Sequence, residues 1–418
     1  MKQFLVFFVL LSSSLAHGGA VNRYSSLSTQ YTSNPNRYGT TELDAAFYNP
    51  AGLAFGGRGL RLSLDNQATL AVDRFSQSGL SNTEIHWAPI CPTLIGAYGG
   101  KRWTIYFATG LLGGGGTLIE GSHPALSENK PYVIEQVNRV QFEGNEVVQD
   151  ARFSNSSLEA MSFFAGVIGG VAYRFNDSFS MSLGGKAVQN WGAMRIVTDF
   201  ELYHPDLLWF YEDEMELSAN QSGQGVALNA GLHWKVNNDL EVGLRGETST
   251  RIEILTRVDK DSAGILPEES YSRNDIPGMV SVGLVYHLGP GLDFTGSFAR
   301  FFNTHANFGE LLGFDITGKL DDAWEFGGGL EYRVTPELLL KGGYLRFLTG
   351  FTDETRATVR FGLNGHYING GMTYAGVSNV EITAGLMAMI YDPGKDRTSE
   401  TTLEPFALVM GVGALYYF

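Results

Sequence analysis

From about residue 160 onward, apolar residues alternate with polar or small ones in segment after segment. Between Ala323 and Val334, one set is Trp324, Phe326, Gly328, Leu330, Tyr332 and Val334, and the other is Ala323, Glu325, Gly327, Gly329, Glu331 and Arg333. Successive side chains of a strand point to opposite faces, so this spacing predicts a β-strand with one oily and one charged or small face. The pattern recurs. Phe179, Met181 and Leu183 alternate with Ser178, Ser180 and Ser182, and Leu240, Val242 and Leu244 with Glu241, Gly243 and Arg245. Val280, Val282, Leu284 and Tyr286 alternate with Ser281, Gly283, Val285 and His287, and Leu292, Phe294 and Phe298 with Asp293, Thr295 and Ser297. Such repetition predicts a membrane barrel whose apolar set faces acyl chains and whose other set faces the lumen, with closure satisfying every backbone N–H and C=O.

Turn-forming residues punctuate the pattern at Gly99-Gly100, Asn176-Asp177, Asn237-Asn238, Gly289-Pro290-Gly291, Thr335-Pro336 and Ser378-Asn379. Longer polar connectors are expected at 73–90, 111–158, 200–222, 256–276, 303–320, 349–357 and 392–403. Short and long links alternate, as in an outer-membrane barrel with short periplasmic turns and long outer loops. The segments add up to an all-β transmembrane antiparallel barrel of about fourteen strands. The last one is the clearest: Phe406, Leu408, Met410, Val412, Ala414, Tyr416 and Phe418 form an unbroken apolar face ending at the C-terminal aromatic. Tyr416 and Phe418 resemble the terminal signal read by the barrel-assembly machinery.

Composition agrees. The 418 residues include 53 Gly, 19 Tyr and 27 Phe, with 17% charged. Beyond the N-terminus no apolar run approaches the ~18 residues of a membrane-spanning helix. Residues 1–20 are expected to be an export signal, with Lys2, an apolar core from Phe4 to Leu11, and small residues at Ser14-Leu15-Ala16 or Gly18-Gly19-Ala20. Cys91 is the only cysteine, so the chain has no internal disulfide framework. It also lies far from the signal, which removes a lipoprotein anchor. A net charge of -15 argues against nucleic acid as a partner.

Residues 17–59 break the barrel pattern, being rich in Ser, Thr, Asn, Tyr and Gly. Within them stands Asp44-Ala45-Ala46-Phe47-Tyr48-Asn49-Pro50-Ala51-Gly52-Leu53-Ala54. This stretch resembles the N-terminal signature of the FadL/TodX family of outer-membrane long-chain fatty acid and hydrophobic compound transporters. Ile276-Pro277 before Val280–Tyr286, Asp322-Ala323-Trp324 before Gly327–Tyr332 and Leu338–Tyr344, and the closing Leu415-Tyr416-Tyr417-Phe418 resemble the family's later strands. The resemblance implies three parts: a signal peptide at 1–20, a plug or hatch at 21–59, and a barrel at 60–418. It further implies passive diffusion of a long-chain fatty acid or similar lipophile from an outer groove, past the plug, and out through a lateral opening. Lipopolysaccharide blocks oily solutes from the outer leaflet, so a protein must offer them apolar surface, worth about 0.8 kcal/mol per buried methylene.

Asn49, Pro50, Ala51 and Gly52 are the expected plug or gating residues: Pro50 fixes its φ, Asn49 can hold a turn, and Gly52 permits close approach. They serve equally well as a structural turn into the first strand. Leu207, Leu208, Trp209, Phe210 and Tyr211, an apolar run in a polar connector, are the expected outer capture site, with an aromatic girdle as the plain alternative. Gly113 to Gly116 lacks the Lys-Ser or Lys-Thr of a phosphate loop and is read as a flexible strand exit. The histidines show no metal-ligand spacing, and no nucleophile constellation is visible, so neither metal, cofactor nor enzymatic activity is expected. The reading is a monomer in outer-membrane and lipopolysaccharide-like lipid. The alternatives are a member repurposed as a structural or interaction component of a secretion system, or a general porin.

Overall fold

The structure is a computed structural model that describes residues 25–77, 80–120, 134–311, 314–352, 354–356, 362–395 and 402–418, apart from 136, 140, 141, 144, 207, 263, 265, 266 and 316. The expected signal, residues 1–20, lies outside the described residues. One antiparallel sheet carries β1 (Gly59–Gln77), β2 (Leu80–Gly99), β3 (Trp103–Glu120), β4 (Asp150–Arg174), β5 (Phe179–His204) and β6 (Leu208–Lys235). It continues through β7 (Leu240–Glu247), β8 (Glu253–Asp261), β9 (Glu269–Arg273), β10 (Met279–Gly289) and β11 (Leu292–Phe301). The last strands are β12 (Ala323–Thr335), β13 (Leu338–Leu348), β14 (Gly365–Val377), β15 (Val380–Tyr391) and β16 (Phe406–Tyr417).

The sheet closes where β1 pairs with β16, from Arg61↔Tyr417 to Val72↔Phe406. Segments β7 and β8 follow one another along β6, and β10 and β9 pair with them in turn, so the segments make the fourteen staves of a closed barrel. Its short turns fall where the turn residues placed them.

The outer surface is oily. On β12 the outward set is the expected one, with Phe326, Leu330, Tyr332 and Val334 exposed and Glu325, Glu331 and Gly329 buried. Beside the short turns stands a ring of exposed aromatics that includes Tyr98, Trp103, Tyr173, Trp234, Tyr286, Tyr332, Tyr374 and Tyr416. Water-facing proteins rarely expose apolar patches beyond a few hundred Å². A closed barrel with an apolar band and an aromatic girdle is embedded in lipid. Tyr416 and Phe418 lie on that lipid side, their rings 4.5 Å apart, and the Phe418 N–H donates to the Leu60 carbonyl across the seam.

Above the lipid the phase of alternation reverses. On β5 the outward residues run Phe179, Met181, Leu183 and Ala187, then Gln189, Arg195, Asp199 and Glu201. The inward ones run Ser180, Ser182 and Lys186, then Met194, Ile196, Phe200 and Leu202. Strand β6 behaves alike: Trp234, Leu228 and Val226 face lipid, whereas Asn220, Glu216 and Glu214 face water opposite the inward Ala219, Leu217 and Met215. From Gln224 to Leu208, at about 3.3 Å per residue and a tilt near 40°, the extension rises roughly 40 Å above the lipid.

The connectors expected at 73–90, 200–222 and 256–276 are therefore largely strand, and the one at 111–158 is strand at its two ends, 111–120 and 150–158. The expectation failed because polar outward positions in water look like loop when the same face was apolar lower down. Gly113–Gly116 likewise sits within β3, paired from Gly113↔Phe164 to Gly116↔Met161, and is no flexible exit.

Candidate functional site

Residues 25–58 lie inside the barrel as a plug. Ser28 caps the first helix, α1 (Thr29–Ser33), by accepting from the Tyr31 N–H. A second short helix, α2 (Ala45–Tyr48), leads through Asn49 into a 3₁₀ turn that Pro50 opens (Pro50–Phe55). The Asn49 amide donates to the Thr40 carbonyl at 2.9 Å and meets His233 Nδ1 of β6 at 2.9 Å. His233 Nε2 lies 2.9 Å from Glu241 Oε2, which places the ring proton on Nε2 and leaves Nδ1 to accept from Asn49. The Ala51 carbonyl accepts from the Ser180 hydroxyl at 2.7 Å. A Cβ on Gly52 would fall 2.4 Å from the Thr40 oxygen. Of the expected plug residues, Asn49 and Ala51 thus touch the wall at His233 and Ser180, while Pro50 and Gly52 shape the turn that holds them there.

The inward acids of β12 hold the plug. Arg37, 2% exposed, donates to Asp44 at 2.9 and 3.0 Å, to Glu331 at 3.1 Å and to Glu42 at 2.5 Å. Lys341 of β13 donates to Glu42 at 3.0 Å and to Gln30 at 2.7 Å. Glu325 accepts from Tyr38 Oη at 3.0 Å and from Ser25. Burial by itself would raise the Glu42 carboxyl, but the Lys341 and Arg37 cations beside it hold it down at about 2.

Where plug backbone meets wall backbone, the wall is glycine. A Cβ on Gly283 would fall 2.1 Å from Gly39 N, and one on Gly243 2.4 Å from the Tyr38 oxygen. Close approach to the plug accounts for part of the glycine-rich composition.

Plug residues such as Tyr31, Phe47 and Leu53 share one apolar core with the wall. Leu112, Phe164, Val188, Ile252, Met279, Phe301, Phe347, Met387 and Met389 belong to one buried cluster. The raised sheet carries a second, in which Ile196, Phe200, Leu202, Met215 and Leu217 pack with Val137, Val148 and the half-buried Met194. Asn138 pins the covering segment, its amide exchanging two 2.8 Å bonds with the Val148 backbone. On β5 the two clusters are separated by little more than Asn190 and Gly192, so the barrel offers an apolar inner face from the raised sheet to the lumen.

One buried polar group interrupts this lining: Lys186 Nζ lies 2.6 Å from Glu247 Oε1, and Arg245 donates to the other oxygen of the same carboxylate. Beside it, Tyr106 donates to Asn229 Oδ1 at 3.3 Å, while Asn229 Nδ2 and Ser281 Oγ have no hydrogen-bond partner.

The wall is incomplete between β2 and β3. Among the described residues these strands pair only from Gly99↔Thr104 to Leu94↔Thr109. Beyond that rung β2 runs on beside β1 alone, and β3 beside β4. The cause is local. Pro89 and Pro92 on β2 lack the N–H a ladder needs. Asn66 clamps a bulge there, donating to the Pro89 carbonyl at 3.1 Å and accepting from the Cys91 N–H at 3.0 Å. On β3 the register shifts between Leu111 and Gly113, and Gly114 has φ 117°, a left-handed conformation that suits glycine.

Of the expected capture residues, Leu207 lies outside the described residues, as do the side chains of Leu208, Trp209, Phe210 and Tyr211. The backbone of the last four opens β6 and pairs with the end of β5, from Leu202↔Tyr211 to His204↔Leu208, so they sit on a strand and not in a loop. Sequence reading missed Met194, Ile196, Phe200, Leu202, Met215 and Leu217. Their period of two was visible; its reversed phase hid it.

No protein-family model and no curated protein matches the chain. Solved structures do. A FadL homologue from Pseudomonas aeruginosa superposes with a TM-score of 0.70 at 14% identity, covering 96% of this chain and 100% of that one. A TodX mutant, a monoaromatic hydrocarbon channel, gives 0.65 at 13%, covering 95% and 100%. The Ralstonia pickettii toluene transporter TbuX gives 0.55 at 16%, covering 90% and 94%. At these identities the likeness establishes the fold: the chain has the FadL/TodX-type barrel with an N-terminal plug.

Proposed function

We propose that this protein is an outer-membrane channel of the FadL/TodX family through which hydrophobic small molecules, long-chain fatty acids first among them, diffuse inward without cofactor or energy. The observation that carries this reading is the reversal of alternation on β5 and β6, which lays an apolar inner face from Leu202, about 30 Å above the lipid, down to the lumen. A water-filled porin has no use for such a surface. Capture occurs on the raised sheet at Met194, Ile196, Phe200 and Leu202, beside the backbone of Leu208 to Tyr211 that opens β6. The lipophile then reaches the lumen and leaves sideways through the gap between β2 and β3, while the plug seated by Asn49–Gly52 sets when the route is open.

Lys186, Arg245 and Glu247 form a buried charged cluster within this chamber. Cells with and without the protein should differ in uptake of radiolabelled laurate; equal uptake would refute the channel reading. In planar bilayers the purified protein should conduct ions only in brief events, whereas steady conductance at once would mean a porin.

A further inference from the structure

We infer that a carboxylate seat lies on the turn side of the plug, held by the guanidinium of Arg61. Between the plug and the wall of β1, β15 and β16 is a cavity of about 210 Å³, bounded among others by Gln30, Glu42, Arg61, Asp65, Glu381 and Tyr417. Arg61 is 4% exposed, and its Nε and Nη2 have no hydrogen-bond partner. A buried guanidinium without a counter-ion is costly, so an anionic occupant of the cavity would be stabilised by it. The fold keeps the place open: a Cβ on Gly56 would fall 2.1 Å from Arg61 Nη1.

The acids around the cavity are otherwise engaged. Glu42 is shared by Lys341 and Arg37, and Asp44 by Arg37 and Ser28. Glu381 accepts from the Tyr417 hydroxyl at 2.9 Å. Asp65, which accepts from Ser63 at 3.3 Å, stands on the same face of β1 as Arg61. Four residues of strand separate the two by about 13 Å.

The occupant this favours is a carboxylate on an apolar chain. Leu43, Ile95 and Leu415 supply an apolar flank, and Ile95 sits one rung below the point where the β2–β3 ladder ends. A fatty acid could rest its head on Arg61 with its tail passing the gap into lipid. This step rests on the channel reading, and it assigns Arg61 the last contact before release.

The test uses the purified full chain in neutral detergent and calorimetric titration with laurate, dodecanol and acetate. Arg61→Gln should weaken laurate at one class of sites by about tenfold or more and leave dodecanol unchanged, a tenfold loss corresponding to 1.4 kcal/mol. Acetate that displaces laurate would identify the source as any small carboxylate; acetate without effect would confine it to amphiphiles. If Arg61→Gln does not form the barrel, Gly56→Ala, whose Cβ expels the guanidinium from its slot, should produce the same loss. Laurate binding unchanged in a folded variant overturns the proposal and leaves the cavity to water. Because binding is read on purified protein, an absence of uptake in cells would sink the channel reading without touching this result.

Discussion

Replacing Gly283 with alanine should unseat the plug while leaving the barrel intact. A Cβ at this position lies 2.1 Å from Gly39 N and from the Tyr38 carbonyl carbon, and 2.7 Å from Tyr38 Cα. Carbon atoms settle at about 3.5–4.0 Å, so the overlap is roughly 1.5 Å. All three obstacles are backbone and cannot rotate aside. The plug is wedged against the neighbouring wall as well, because Asn34 already fills the space over Gly329 and Gly343, where a Cβ would meet its Oδ1 at 2.4 and 2.5 Å. Overpacking of this kind costs about 1–3 kcal/mol, a shift of about 5- to 150-fold from seated to unseated plug. Single-channel recording in planar bilayers reads that shift as open probability. Heat-modifiable migration on a gel checks that the barrel has formed. The matched control is Gly246→Ala on β7, where a Cβ meets nothing within 4 Å. If Gly283→Ala opens no more often than Gly246→Ala, backbone contact does not seat the plug and the reasoning fails.

Arg37→Met should strand the buried Asp44 and cost about 3–5 kcal/mol, seen as early protease cleavage of the plug while the barrel resists. Since Glu42 is held down at about 2, its contribution is complete above the ordinary carboxylate range and is lost as pH falls through about 2. Open probability should then be level from neutral pH to about 4.5 and rise below it, a step that Glu42→Gln should remove. Pro89→Val with Pro92→Val gives β2 back two ladder N–H groups and should slow laurate uptake by narrowing the gap, with laurate binding to purified protein retained; unaltered uptake would place the exit elsewhere. Ile196→Asp puts a charge on the raised apolar sheet and should cut uptake about tenfold or more, since a buried aliphatic side chain contributes about 1.5–3 kcal/mol.

The lipid-facing part of the fold was legible in the sequence because one constraint dominates it. Phe326, Leu330 and Tyr332 had to be apolar and their neighbours had to differ, so β12 and β16 announced their faces residue by residue. The plug seat was half legible. Asn49 and Pro50 stood out as a turn, but their partners on the wall, His233 and Ser180, lie 184 and 129 residues from Asn49 and Ala51. Glu331 looked like any lumenal acid until Arg37, 294 positions away, reached it. The wall gap was not legible at all. It depends on Pro89 and Pro92 meeting a shifted, glycine-bearing neighbouring strand, a relation between two segments and not a property of either.

The misread connectors follow from the same physics as the strands that were read correctly. A barrel wall has two solvents on its outside, hydrocarbon below and water above, and the side chains facing outward must answer to whichever is present. Past Gln189 and Trp191 on β5 and Gln224 on β6 the outside becomes aqueous, and the apolar residues turn inward. A sequence that crosses this boundary keeps its period of two and changes its phase. The position of the change marks the edge of the membrane, and the apolar run beyond it, from Met194 to Leu202, marks surface turned toward the lumen instead of toward lipid. An inward apolar face above the lipid, packed against Val137 and Val148, has no role in anchoring the barrel, which is why the capture reading rests on it and not on the more conspicuous aromatics at the hairpin tip.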